Sequence, residues 1–301
     1  MLGYAAMNRT LRDSDTPRRC NRDMRKSTWE SKGLKYAGEL AEQNFRDLLA
    51  ILQWNYKHNI NLYRCSSGLV PWNSQFDLNE LPNYETIQEI AQQCGELIKS
   101  EDMRLTFHPD HWCKLASESE DTVRRSVRSV VCHGQWLDLM ELDRSPRYAI
   151  NVHIGAHYGN KEATADRFCE VINDLPPEAK SRIVVENDDK ESLWGIQELV
   201  NQVSDRTGIP VTFDYHHHKF TDRGLTYREA FEMAVSTWGN HRPIAHYSET
   251  SRLHGDSDAR PQDHSEYVSD LPDWLRKRAD VIIESHQKEQ SVLRYTPDKF
   301  V

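Results

Sequence analysis

The 301-residue chain carries 38 Lys and Arg against 47 Asp and Glu, a formal net charge of -9, and is 38% hydrophobic, 28% charged and 9% aromatic. This is globular composition, and it excludes collagen-like, low-complexity and broadly disordered chains. No apolar run approaches the roughly 18–20 residues needed to cross a bilayer, so no membrane partner is expected.

The opening MLGYAAMNRTLRD turns polar by Asn8 and lacks the basic-then-apolar order of a secretory signal. The short lead into the first strand predicts a cytoplasmic protein of bacterial, archaeal or phage-like origin. Cys20, Cys65, Cys94, Cys113, Cys132 and Cys169 are scattered with no CxxC pair, which predicts free thiols rather than a zinc finger or a disulfide scaffold. The acidic balance counts against a polyanionic partner. However, Arg9, Arg12, Arg18, Arg19, Arg22, Arg25, Lys26, Lys32 and Lys35 make one segment strongly basic, and a local patch can steer a polyanion.

Short β-rich runs alternate with longer stretches of helical spacing. In chain order the runs are Leu2–Ala5, Ile60–Cys65, Met103–Phe107, Tyr148–Val152, Ile183–Val185, Pro210–Phe213, Pro243–Ala245 and Val281–Ile283. The clearest helix spans Tyr36–His58, where Leu40, Phe45, Leu48, Leu49, Leu52 and Tyr56 recur at three- and four-residue steps. Alternation of this kind implies parallel strands joined by right-handed crossovers. Eight units over 1–301 predict a single domain of the α/β class, a (β/α)8 TIM-type barrel, with the eighth helix short or missing because few residues follow Ile283.

The ends of those runs carry the chemistry. His108, His153, Glu186, Asp214, His246 and Glu284 each follow a predicted strand. In a barrel they converge on the C-terminal face, where such enzymes keep their active sites. Three carboxylates and three imidazoles in one mouth repel and desolvate one another unless cations neutralise them, so a cluster of divalent metal ions is expected. Asp214 and His217 add a D-x-x-H spacing and His264 follows strand seven, whereas His216 and His218 extend a run that is equally consistent with surface. Mixed His and carboxylate ligation suits two or three metals in phosphoryl transfer. It equally suits isomerisation of a sugar.

The chain also resembles the UV damage endonucleases, (β/α)8 repair nucleases related to endonuclease IV. The residues that carry this begin with Leu2-Gly3-Tyr4-Ala5, Asn8, Leu11-Arg12, Asn44, Asp47-Leu48, Trp54-Asn55, Arg64-Cys65-Ser66-Ser67 and Pro71. They continue through His108-Pro109, His153-Ile154-Gly155, Tyr158-Gly159, Glu186-Asn187-Asp188, Asp214-Tyr215-His216-His217, His246, Glu284 and Lys288-Glu289-Gln290. The resemblance implies a monomeric, metal-dependent endonuclease acting on double-stranded DNA. It would cut immediately 5′ of a UV photoproduct and leave a 3′-hydroxyl. Mn2+ is the implied ion, with Zn2+ or Mg2+ as alternatives. His108, His153 and Glu186 would hold one metal, and Glu186 would bridge to a second held by Asp214, His246 and Glu284. His217 and His264 would hold a third, with Glu186, His108 and Glu284 in the catalytic roles. Tyr4 and Asn8 would line the lesion pocket. Independently of the resemblance, His111 and Trp112, just beyond strand three, are expected to project from the mouth and probe the duplex, and Arg22 and Arg25 of the basic segment are expected to contact phosphates.

Three departures stand out. Gln75 replaces a His, Ile244 replaces a Lys two residues before His246, and His111-Trp112 replaces a Gln-Tyr pair. The first two motivate a rival reading, a lesion-binding protein that has lost catalysis. A sugar isomerase or epimerase of the same barrel lineage is the other.

Overall fold

The eight runs become eight short strands: β1 (Leu2–Ala5), β2 (Leu62–Cys65), β3 (Arg104–Phe107), β4 (Ile150–Val152), β5 (Ile183–Glu186), β6 (Val211–Asp214), β7 (Ile244–Tyr247) and β8 (Asp280–Ile283). In this computed structural model, which describes residues 1–295, all pair in parallel in sequence order. Closure comes from β1 against β8, with Leu2 opposite Val281 and Gly3 opposite Ile282. Gly3 is required there, since a Cβ would stand 2.1 Å from the Leu62 carbonyl oxygen. Among the described residues the eighth helix is only Glu289–Leu293, and no helix is long and apolar enough to cross a membrane.

Residues two apart on a strand share a face, and this sorts the barrel into layers. Outward side chains such as Tyr4, Tyr63, Phe107, Val185 and Phe213 join the helices in one large core. Inward side chains form a smaller apolar layer of Ala5, Leu62, Ala149, Val184, Ile244 and Ile282. Below it, Asp280 accepts from Arg104 (2.9 Å) and Arg242 (2.8 Å), closing the base of the barrel with a buried ion-pair cluster. Two residues above the apolar layer come Arg64, Glu186, His246 and Glu284. The period of two thus stacks an ionic base, an apolar floor and a polar mouth.

The predicted helix Tyr36–His58 is the larger part of Lys26–Lys57, which breaks at Gly33 (φ 56°, ψ -150°), a conformation open to glycine. Its buried stripe contains Ala37, Ala41, Phe45, Leu48 and Leu52. Leu40, Leu49 and Tyr56 are only half-buried, because the small Ala37 and Ala41 face the barrel instead. All six cysteines are buried free thiols, with Cys20 and Cys65 sulfurs 3.7 Å apart.

His133, buried beside Phe107 and Trp136, bonds through Nδ1 to the Ser129 carbonyl at 2.7 Å, and its Nε2 has no partner. Burial pushes it down to about 4. A depressed histidine is neutral in the fold but takes a proton when unfolded, so its contribution is complete above about pH 6.5 and shrinks as the pH falls towards 4. Between pH 7 and 5 this residue is expected to cost the wild type about 2 kcal/mol. Urea unfolding of wild type and His133→Gln at the two pH values checks it. An equal loss in both proteins rejects the assignment.

Candidate metal centre

The barrel mouth gathers the six strand-end residues. His108, His153 and Glu284 stand one residue past β3, β4 and β8, while Glu186 and Asp214 are the last residues of β5 and β6. His246 lies inside β7, one residue before its end, because β7 runs two residues further than its apolar run predicts.

Glu186 is the centre of the cluster. Its Oε2 lies 3.7 Å from His108 Nε2 and 3.5 Å from His153 Nε2. Its Oε1 lies 3.1 Å from His246 Nδ1 and 3.4 Å from His217 Nδ1. Two ligand groups result, His108–His153–Glu186 and Glu186–Asp214–His246, each with donor atoms within 4.8 Å of one another. Two atoms bound at about 2.1 Å to a common ion lie roughly 3–3.5 Å apart. The spacing around Glu186 is of that size.

The second contacts orient these ligands. His108 Nδ1 bonds to the Pro109 carbonyl at 2.9 Å, leaving the Nε2 lone pair facing Glu186. His153 Nδ1 lies 3.3 Å from Asp188 Oδ1, a carboxylate–imidazole arrangement that fixes a ligating ring. Asn151 donates to Glu186 Oε2, and Arg64 pairs with Glu284 Oε1.

Charge balance points the same way. Burial and the Arg64 charge push His108 down to about 3. Burial would lower His153 too, but Glu186 and Asp188 outweigh it and raise it to about 9. Glu186 is held well below the carboxylate range, since His246 and His153 overcome its burial. Burial raises Asp214, whose Oδ2 has no hydrogen-bond partner. The carboxylates draw protons onto His153 and His217, so this side of the pocket favours added positive charge. Divalent cations fit this donor set.

The remaining candidates divide. His217 stands beside Glu186 and, at 3.9 Å, Asp214, while His264 Nδ1 is 3.9 Å from Glu284 Oε2. The structure does not place His217 and His264 in one three-ligand group. His216 packs edge-on against Phe220 and His264, and His218 bonds to the Leu225 carbonyl, so neither enters the cluster. His111 is exposed near His108 and His153, and Trp112 is 43% exposed.

The other predicted contact residues lie outside the cluster. Tyr4 and Asn8 are fully buried, away from the mouth surface. Tyr4 points outward into the helix layer, where its hydroxyl donates to Asn55 at 2.8 Å and accepts from Asn8 at 3.0 Å. Asn8 also caps Arg9–Arg12, so the pair braces the loop after β1. Arg22 is tied to buried Asp47 at 2.7 Å, as is Arg18 at 3.0 Å, while Arg25 is exposed. Asn44 clamps the Arg22 backbone from both sides. Gln75 lines a separate 400 Å³ cavity with Trp72 and Trp112, and Ile244 belongs to the apolar floor.

Arg64, Asn151 and Asp188 complete the site without having been singled out for it. The first two carried a signal, a polar residue inside a short buried strand. Asp188 was marked only by its place in Glu186-Asn187-Asp188, since its partner His153 lies 35 residues away.

A profile of the UV-endonuclease UvdE family matches residues 1–299. The UV DNA damage endonuclease of Halalkalibacterium halodurans is 30% identical, covering 99% of this chain and 93% of its own. The UV-damage endonuclease of Schizosaccharomyces pombe is also 30% identical, over 97% of this chain but 49% of its own, so the chain spans about half of that relative. The crystal structure of SacUVDE matches with a TM-score of 0.84 and 28% identity, covering 97% of this chain and 95% of that one. Endonuclease IV from Thermus thermophilus (TM-score 0.56, 15% identity, covering 82% and 93%) shares the fold. So does 3-keto-D-glucoside 4-epimerase from E. coli (TM-score 0.55, 9% identity, covering 82% and 94%).

Proposed function

The chain belongs to the UV-endonuclease UvdE family, and from this premise we propose that it is a metal-dependent DNA repair endonuclease that nicks immediately 5′ of a UV photoproduct and leaves a 3′-hydroxyl. It acts as a monomer on double-stranded DNA. The observation that carries the reading is Glu186, whose two carboxylate oxygens face two separate groups of imidazole and carboxylate donors.

His108, His153 and Glu186 would hold one divalent ion, and Glu186, Asp214 and His246 another, with Glu284, His217 and His264 at the flanks. Mn2+ is the proposed ion; when bound, such ions activate water and stabilise the leaving oxygen of an in-line displacement. The chain's own residues do the rest. Asp188 and the Pro109 carbonyl fix the rings of His153 and His108. Asn151 holds Glu186 in place, and Arg64 adds a cation where phosphate charge must enter. Gln75 and Ile244, the departures that suggest lost catalysis, lie outside both ligand groups.

The test is nicking of end-labelled duplex carrying one defined photoproduct, with Mn2+, Mg2+, Zn2+ or chelator. A single cut 5′ of the lesion, abolished by chelator, supports the proposal. Binding of that duplex without cutting under any metal overturns it.

The basic segment separates into a structural and a free part. Arg25→Ala is expected to weaken damaged and undamaged duplex alike and to lower the salt slope of binding by roughly 0.9. Arg22→Ala should instead lower the melting temperature, because buried Asp47 loses a partner. Fluorescence anisotropy across a salt series checks the first. An unchanged slope means Arg25 is only solvated surface.

A further inference from the structure

Lys288 sits four residues beyond Glu284 with backbone φ 51° and ψ -123°. That region favours glycine, and a residue with a Cβ is held there only when the surroundings impose it. Here they do. Lys288 N–H donates to the Ser285 carbonyl at 3.2 Å, and the Ser285 and Ser291 hydroxyls meet at 2.6 Å. Buried Glu289 accepts from the backbone of Arg9 (2.9 Å) and Thr10 (2.8 Å).

The result is a lysine directed into a cavity of 670 Å³ shared with Arg64, His264 and Glu284. Its side chain is half-buried, and among the described residues its ammonium has no hydrogen bond and no ion pair within 4.0 Å. Burial lowers its pKa despite Glu284 nearby, with Arg64 and Arg9 adding to the fall. Arg64 already has a partner in Glu284. Lys288 therefore brings uncommitted positive charge to the rim of the ligand cluster, on a turn built to hold it. A partly desolvated cation of this kind is relieved by an anion entering the cavity.

We propose that Lys288 is a catalytic residue whose ammonium binds a non-bridging oxygen of the scissile phosphodiester. The assignment rests on the endonuclease reading for the identity of that anion. In the step, a water oxygen bonds to phosphorus and gives up a proton as the bond from phosphorus to the 3′-oxygen breaks and that oxygen gains a proton. Lys288 stays protonated throughout. It offsets the negative charge that grows on the phosphoryl oxygens.

Lys288→Gly is the informative variant, because glycine suits the turn and the fold should be at least as stable. Single-turnover nicking of the photoproduct duplex is expected to fall about 100-fold, with unchanged bound metal. Lys288→Arg should recover part of the loss. In chelator, the salt slope of duplex binding by Lys288→Gly should fall by roughly 0.9. Nicking within about threefold of wild type overturns the proposal. If the wild type itself does not nick, the endonuclease reading fails, and the salt slope alone decides Lys288: a lower slope supports phosphate binding and an unchanged one overturns it.

Discussion

Glu186→Gln is expected to fold and to lose strand nicking by two to three decades or more. The barrel does not depend on this carboxylate. Its backbone pairs within β5 and β6, and a glutamine oxygen can still accept from Asn151. What disappears is the charge shared between the two ligand groups. His153 Nε2 and His108 Nε2 face one oxygen, and His246 and His217 Nδ1 face the other. A neutral amide has one acceptor oxygen and can serve only one group, so the loss falls on both sides at once. Removing a single preorganised transition-state contact costs on the order of 3–4 kcal/mol. A ligand common to two ions should cost at least that. Bound metal measured by mass spectrometry, beside nicking and thermal melting, separates the outcomes. Near wild-type nicking with half the metal would sink the two-group mechanism, and unfolding would show that Glu186 serves the barrel.

The barrel was legible because its signals are local. Each strand is a short apolar run, and a chemically demanding residue stands at or near the end of six of them. The period of two then carries inward placement from Val184 to Glu186 and from Ile244 to His246 without any tertiary information. The misplaced details have tertiary causes. The inward face of Lys26–Lys57 is set by Ala37 and Ala41, which hydrophobicity ranks below Leu40 and Leu49. Arg22 reads as a free cation until Asp47, 25 residues away, is seen to hold it. Tyr4 is named by resemblance alone, and only alternation along β1 shows that it turns outward while Gly3 and Ala5 turn inward. Register across the barrel supplies what spacing along the chain cannot.

Trp112→Ala is expected to lose most of the preference for lesion-bearing duplex while leaving metal content and melting temperature close to wild type. Trp112 lies on the loop after β3, four residues past His108 of the cluster, and its indole donates to Asp110 at 3.2 Å. At 43% exposure it is not packed beneath a neighbouring loop. It rims the 400 Å³ cavity that holds Trp72, Gln75 and Met24, between the loops that follow β1, β2 and β3. A photoproduct weakens the stacking and pairing of two adjacent pyrimidines, so extruding them costs less than extruding intact bases. The gap must be filled, and an inserted side chain is the usual filler. Stacking is worth about 1–3 kcal/mol per base, which corresponds to a loss of roughly 5- to 150-fold in affinity. Undamaged duplex stays stacked and offers no gap, so its binding should hardly change. Anisotropy titrations of matched damaged and undamaged duplexes give the ratio directly, and Trp112→Tyr should retain much of it. Full lesion preference in Trp112→Ala would place recognition in another loop.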